Sequence, residues 1–239
     1  MLTLVSCIDE PTIPIPPTQM AVLRIGNFSP NVPSIDVFVD GKAIPTFSNM
    51  LYTGLSDYID INSGNRKITV IKTGTTDTLY NKPFSVSTRN ITTILFIGEY
   101  NTIDTMNTFQ TFEMDEGKTY VSHTPVAGTA SFFFYNIITP YITTLPAKDA
   151  PVIDFLDYTG GKDLLIIKDV QPKDNVSKAG GSVGFRKFTA TVANKPANVL
   201  GADSSTTVAG KNYFVFAAGN ANAPTVVIRE SIPVPVKPR

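Results

Sequence analysis

PSIDVFVDGK, Pro33 to Lys42, carries the clearest indication of the fold. Ile35, Val37 and Val39 alternate with other residues, which is the two-residue period of a strand with one buried face. Asp40-Gly41 then supplies a tight hairpin turn, because glycine adopts positive φ without steric cost. Similar runs rich in Thr, Val, Ile, Phe and Tyr recur along the chain, and its 18 prolines would interrupt long helices. The sequence therefore predicts an all-β protein.

The opening phrase occurs twice in the chain. PVIDFLDYTGGK, which begins at Pro151, repeats its Pro-x-Ile-Asp start and its Gly-Lys end. Downstream, GNRKIT from Gly64 is answered by GFRKFT from Gly184, at nearly the same offset. That offset of about 120 residues far exceeds the period of solenoid repeats, so each copy should be a whole domain. We expect two tandem antiparallel β-sandwiches, immunoglobulin-like or transthyretin-like, over residues 21–115 and 116–239.

A family resemblance is carried by four motifs of the first copy. They are Asn-Phe-Ser-Pro at 27–30, Val-Pro-x-Ile-Asp-Val-Phe-Val-Asp-Gly-Lys at 32–42, Gly-Leu-Ser-Asp-Tyr-Ile at 54–59 and Ser-Gly-x-x-x-Ile-Thr-Val at 63–70. Residues 21–112 resemble domain-of-unknown-function family 4397, and the resemblance is looser across 130–230. It implies a bacterial surface or periplasmic protein with the domain in tandem, and the family has no established catalytic residues.

The N-terminal segment carries the only cysteine. Leu4-Val5-Ser6-Cys7 resembles the lipobox of bacterial lipoproteins, which implies that Cys7 is the lipid attachment point. Only six residues precede it, fewer than a signal peptide needs, so we interpret residues 1–6 as a truncated signal. A chance cysteine in a disordered N-terminus is the alternative.

The residues after Cys7 fit an exported protein. Asp9-Glu10 resembles the surface-export signal of Bacteroidetes lipoproteins, and the prolines of PTIPIPP favour a stiff extended tether. Residues 1–20 are thus predicted to be signal, anchor and tether. The expected location is the outer membrane or cell surface of a Gram-negative bacterium, with the membrane as partner through the lipid.

Catalytic groups are scarce. The only histidine, His123, has no Gly-x-Ser-x-Gly nucleophile turn to accompany it. Asp154, Asp157 and Asp163 lack the spacing of a calcium loop, so no metal and no cofactor are expected. Asp36 and Asp154 are expected to cap backbone N–H groups in turns. With 20 basic and 20 acidic residues and no basic block, nucleic acid is an unfavourable partner.

The chain has no tryptophan, so its tyrosines are the candidate aromatic contacts for a ligand. Tyr52 and Tyr58 are candidate ligand contacts, although tyrosines at strand ends usually pack. The loops Phe47–Tyr58 and Asp169–Gly181 differ most between the copies and are the candidate contact surfaces. Asp-Thr-Leu at Thr78 and Asp-Thr-Met at Thr105 resemble a short O-glycosylation signal of exported Bacteroidetes proteins.

One aromatic run predicts that the two units pack together. In Ser131-Phe132-Phe133-Phe134-Tyr135, alternate side chains point to opposite faces of a strand, and one sandwich core buries only one face. The other aromatic pair therefore needs a cover. The function predicted is a non-catalytic surface module that binds a glycan or a protein or acts as a spacer. The alternatives are a hydrolase that uses His123 and a structural subunit that pairs strands at exposed edges.

Overall fold

The computed structural model describes residues 20–103, 107–116, 125–141, 148–159 and 162–231. Apart from a 3-10 turn at Pro45–Phe47, the regular elements in these ranges are strands, so the all-β prediction is confirmed. The strands are β1 Met20–Phe28, β2 Ser34–Val39, β3 Lys42–Ala43, β4 Met50–Leu51, β5 Gly54–Leu55, β6 Ile59–Asn62, β7 Gly64–Lys72, β8 Thr78–Val86, β9 Ile91–Ile97, β10 Gln110–Asp115, β11 Ala130–Asn136, β12 Ile153–Thr159, β13 Lys162–Val170, β14 Asn175–Gly181, β15 Gly184–Val192, β16 Lys195–Thr207, β17 Asn212–Asn220 and β18 Ala223–Ser231.

The first ten strands form one sandwich. One of its two sheets, which we call the first inner sheet, has the strand order β10-β9-β1-β5, and β6 also pairs with β1. Its first outer sheet has the order β3-β2-β7-β8, with β4 also paired to β2. Ile25 and Phe96 of the inner sheet meet Ile35 and Val70 of the outer sheet in a buried core. The alternation at Ile35, Val37 and Val39 therefore does face a core.

The last eight strands form a second sandwich with the same plan. The second inner sheet has the order β14-β11-β17-β18, and the second outer sheet has the order β13-β12-β15-β16. Phe132 and Phe134 of the inner sheet pack against Phe155 and Phe188 of the outer sheet. The domain boundaries at 20/21 and 115/116 stay predictions.

Most strand pairs of the two sandwiches are antiparallel, as expected, but two pairs are parallel. β1 pairs with β9 in parallel, and β11 pairs with β17 in parallel. The cause is the chain path, since strands of the outer sheet lie between the two members of each pair and form a crossover connection. Both inner sheets are therefore mixed.

The two inner sheets pack face to face, so the molecule has four layers. Leu95 and Ile97 of β9 share a buried cluster with Phe133 and Tyr135 of β11 and with Phe216 of β17. Phe133 is 2% exposed and Tyr135 is 3% exposed. The predicted docking of the two units is confirmed, because the aromatic pair outside the second core is covered by the first sandwich.

The repeated acids cap backbone groups as predicted. Asp36 accepts hydrogen bonds from the Asn49 N–H at 2.6 Å and the Ser48 hydroxyl at 2.9 Å. Asp154 accepts from the N–H groups of Asp169 and Asn194, both at 2.9 Å. All three residues whose N–H groups are capped have positive φ, where the local turn leaves the donor without a ladder partner. Asp36 is thus part of the fold's framework.

Neither predicted contact loop is wholly irregular. Phe47–Tyr58 contains β4 and β5, and most of Asp169–Gly181 is β14, which pairs with β11. Sequence divergence between the copies at these segments does not prevent pairing, since ladder hydrogen bonds use only backbone groups.

Candidate functional site

A polar cluster lies inside the contact between the two sandwiches. Arg24 of β1 is 2% exposed, and its Nη2 donates to Glu116 Oε1 at 2.6 Å. Its Nε donates to Thr93 Oγ1 at 3.0 Å, while the hydroxyls of Thr93 and Tyr58 also donate to Glu116. A buried charge is tolerated only when it is paired and hydrogen-bonded, as here.

Aromatic rings enclose the guanidinium of this cluster. The Arg24 Cζ atom lies 4.4 Å from the centroid of Tyr58 and 5.1 Å from that of Phe214, which belongs to the second sandwich. Burial, followed by the nearby charge of Glu116, raises the pKa of Tyr135 well above its usual range. The Tyr135 hydroxyl therefore stays protonated at any physiological pH. The cluster is enclosed where the two sandwiches meet, and its ion pair and hydrogen bonds stabilise that contact.

The structure gives the candidate contact residues different roles. The Tyr58 hydroxyl is engaged by Glu116, so Tyr58 serves the interface. Tyr52 is half-buried, and burial raises the pKa of its phenol. A ligand role for either tyrosine stays a prediction. Thr78, at the start of β8, is exposed as a modified residue would need to be.

Three predicted residues lie outside the described residues: Cys7, Thr105 and His123. In the described ranges, no group of three or more His, Cys, Asp and Glu side chains has the arrangement of a metal site. Nor do those ranges hold a helix long and apolar enough to cross a membrane.

Two of the three acids weighed for calcium have other partners. Asp154 caps two turns, as described above, and Asp157 pairs with Arg186 on the core-facing side of the second outer sheet. Burial lowers the pKa of the Arg186 guanidinium. The negative charge of the Asp157 carboxylate is thus already balanced by the Arg186 guanidinium, which disfavours calcium binding by Asp157.

The most distinctive exposed surface lies on the solvent side of the second outer sheet. We call it the outer platform and define it by Leu156, Tyr158, Leu165, Phe185 and Lys187. Leu165 lies opposite Leu156 in the register of β13 and β12, and Tyr158 follows two residues later on the same face. Phe185 and Lys187 share that face on β15, where Phe188 marks the core-facing side.

Three apolar side chains of the outer platform are unusually exposed for their type, whereas Leu156 is buried. Phe185 is 66% exposed, Leu165 43% and Tyr158 41%. Val183, two residues before Phe185, is also exposed, whereas the exposed Leu164 lies opposite Asp157 and belongs to the other face of the sheet. Single exposed hydrophobic residues are ordinary, but a contiguous group of them marks an interaction site.

Polar groups border the outer platform. The Lys187 Nζ atom lies 5.9 Å from the centroid of the Tyr158 ring. On β16, Ser204 lies opposite Lys187 and Thr206 lies opposite Phe185, and both are exposed. The surface therefore combines flat aromatic faces with an ammonium donor and two hydroxyls, which can both donate and accept.

Sequence reasoning missed the outer platform. The signal was present in Phe185-Arg186-Lys187-Phe188, where two aromatic residues stand three apart in a strand. At that spacing they must point to opposite faces, so one of them leaves the core. The pattern does not say which one.

The comparisons with solved structures find distant likenesses. A leucine-rich repeat protein from Bacteroides thetaiotaomicron has 12% identity and a TM-score of 0.21, and the match covers 84% of this chain and 26% of that chain. The chain thus spans about a quarter of that protein. A family CBM26 module from Eubacterium rectale, solved in complex with maltoheptaose, has 10% identity and a TM-score of 0.27, with coverages of 89% and 98%.

A third structure, described as alpha-glucan binding by a streptococcal virulence factor, has 10% identity and a TM-score of 0.25, covering 86% of this chain and 95% of that chain. These values are too low to carry an argument about the ligand of this chain. No curated protein matches the sequence. One family model does match, over residues 21–130, and its description is "Domain of unknown function (DUF4397)". Residues 21–130 therefore match the DUF4397 domain, and they contain the strands of the first sandwich.

Proposed function

We propose that the protein is a non-catalytic, lipid-anchored surface module that binds a glycan on its outer platform. One observation carries the proposal: Tyr158, Leu165 and Phe185 are exposed on the same face of one sheet. In most folded proteins, several large apolar side chains on the same face of a sheet are covered by another layer of the protein. A ligand that covers them in use would explain why they are exposed here.

The chemistry of the outer platform suits a sugar. A pyranose ring presents one face of C–H groups, which packs on an aromatic ring, and hydroxyls around its rim. Phe185 and Tyr158 would receive the C–H faces, while Lys187, Ser204 and Thr206 would bond the hydroxyls. A binding surface of this kind needs no general acid or base, which supports a non-catalytic role. A hydrolase that uses His123 is the alternative.

A structural subunit that pairs strands is less well supported. β13 is the end strand of the second outer sheet, yet its pairing with β12 has two register shifts. Lys162 and Lys168 stand near its two ends. Bulges and edge lysines discourage pairing with another chain. We also propose that the second sandwich is a further copy of the family domain, because its strand order follows the same plan.

Replacing Phe185 by Ser should weaken glycan binding by about ten-fold or more, since Phe185 is the most exposed aromatic ring of the outer platform and aromatic residues are frequent hot spots of binding surfaces. A glycan array with the unlipidated full-length chain (Cys7→Ser) would identify a ligand. Calorimetric titration of that ligand would then compare Phe185→Ser and Tyr158→Ala with Leu51→Ala. Leu51 is 62% exposed on the first outer sheet and is the matched control.

Binding that survives Phe185→Ser and Tyr158→Ala but is lost in Leu51→Ala would overturn the outer platform as the site. That result would favour the Phe47–Tyr58 segment instead. Turnover of ester, peptide or glycoside substrates that disappears in His123→Ala would overturn the non-catalytic role.

The proposed anchor is the Cys7 thiol, and the proposed location is the outer membrane or cell surface of a Gram-negative bacterium. The Leu-Val-Ser-Cys match and the proline tether support both. Expressed from its native gene, the wild-type protein should incorporate a labelled fatty acid, and Cys7→Ala should not. Equal labelling of the two proteins, or a native protein that starts at Met1 without lipid, would contradict the anchor.

A further inference from the structure

A cleft of about 500 Å³ lies where the two sandwiches meet. The first sandwich contributes Asn107, Phe109 and Gln110, which lead into β10. The second contributes Pro140, Pro172 and Lys173 from the connections that follow β11 and β13. The cleft is distinct from the outer platform, because its lining residues lie at the start of β10 and in connections between strands, whereas the outer platform lies on β12, β13 and β15.

The walls of this cleft are held in place before any ligand arrives. The Lys173 N–H donates to the Asn136 carbonyl at 2.6 Å, which fixes a turn in which Lys173 has φ 67°. On the facing wall, the ring of Phe109 stacks on Phe96 with 5.8 Å between centroids. A preformed site loses less conformational entropy on binding than one that must order itself.

Charge inside the cleft favours an anion. The Lys173 ammonium donates to Gln110 Oε1 at 2.6 Å, across the contact between the sandwiches. No carboxylate forms an ion pair with Lys173 in the described part of the chain. An ammonium has three donors, so two remain for a ligand.

The other lining groups suit a ring with hydroxyls. Asn107 Oδ1 accepts from the Phe109 N–H at 3.0 Å, which leaves the Asn107 amide NH₂ to donate to a ligand. Pro140, Pro172 and Phe109 supply apolar surface on both sides of the cleft. Apolar walls with a few convergent polar groups are the usual make-up of a small-molecule site.

We propose that this cleft binds a sugar ring that carries a carboxylate, such as a uronate. The carboxylate would pair with Lys173, the ring would pack between Phe109 and the two prolines, and the Asn107 amide would bond a hydroxyl. Because the ligand would touch both sandwiches, it would also stabilise their contact. The proposal does not depend on the glycan site at the outer platform.

Calorimetric titration of the unlipidated full-length chain tests this site with two disaccharides, one ending in glucuronate and the other in glucose. The glucuronate sugar should bind at least ten-fold more tightly, and added salt should weaken its binding. Lys173→Met should remove the preference, Lys173→Arg should keep most of it, and Lys168→Met, at an exposed lysine of β13, should leave it unchanged. Thermal unfolding of each variant checks that it is folded.

Three results would overturn the cleft proposal: equal binding of the two sugars, no binding of either, or a preference that survives Lys173→Met in a folded protein. Cyclohexanecarboxylate that binds as tightly as glucuronate would also overturn it, since the hydroxyls would then not be recognised. Phe185→Ser separates the two sites, because it should weaken binding at the outer platform and leave the cleft unchanged.

Discussion

Replacing Arg24 by Met should lower the free energy of unfolding by about 3–5 kcal/mol, because it leaves the buried carboxylate of Glu116 without its cation. Glu116 is 0% exposed, so water cannot take the place of the guanidinium. The Tyr58 and Thr93 hydroxyls would remain as donors, but neither carries a charge. Urea denaturation of the wild type and the variant measures the difference.

The double variant Arg24→Met/Glu116→Leu is the control for this effect. Removing both charges from a buried pair often costs little, so the double variant should recover much of the loss. Arg66 offers a surface comparison, because it pairs with Asp40 at 3.0 Å where both side chains are partly exposed. Arg66→Met should cost under about 1 kcal/mol. An Arg24→Met loss no larger than that of Arg66→Met would contradict the account of the interface cluster.

The second prediction with a large effect compares a substitution in the core of the second sandwich with a substitution in the contact between the two sandwiches. Phe134 packs on Phe155 and Phe188 at 5.0 Å and 5.3 Å between centroids, so Phe134→Ser should cost about 3–5 kcal/mol of sandwich stability. Phe133 lies in the cluster that joins the inner sheets. Phe133→Ser should therefore loosen the docking of two sandwiches that each remain folded.

Calorimetry and hydrogen exchange distinguish these outcomes. Phe133→Ser should split the unfolding into two transitions and speed exchange along β9 and β11, while Phe134→Ser should lower the transition of the second sandwich. If the two variants lose the same stability in a single shared transition, the division between core and interface is wrong.

The sequence predicted the fold where the signal was local. Alternation at Ile35, Val37 and Val39 marks a strand face, and Asp40-Gly41 marks the turn. The aromatic run at Ser131–Tyr135 even predicted the docking, because two apolar faces on one strand need two covers.

Non-local features were beyond the reach of these patterns. The parallel pairing of β1 with β9 depends on which sheet the intervening strands join, and at Asn62 and Gly64 the chain crosses from the inner sheet to the outer sheet. The role of Tyr58 likewise depends on Glu116, a partner 58 residues away. A cation inside the apolar strand β1 was the one local sign that Arg24 would be buried with a partner.

The candidate site was predictable only in kind. An exposed binding surface on a rigid sandwich was expected, but it was assigned to Phe47–Tyr58 and Asp169–Gly181. The outer platform instead uses the solvent face of a sheet, and the choice between Phe185 and Phe188 as the exposed ring depends on the register of β12 with β15.

Nuclear magnetic resonance during titration with the ligand found on the array tests glycan binding at the outer platform most directly. We predict shifts of the Leu156 and Leu165 methyl groups and of the Tyr158 and Phe185 rings, with the Leu51 methyl groups unmoved. The ligand concentration at which the shifts saturate should agree with the affinity measured by calorimetry. Shifts confined to residues outside the outer platform, or the absence of any glycan that binds, would contradict the account.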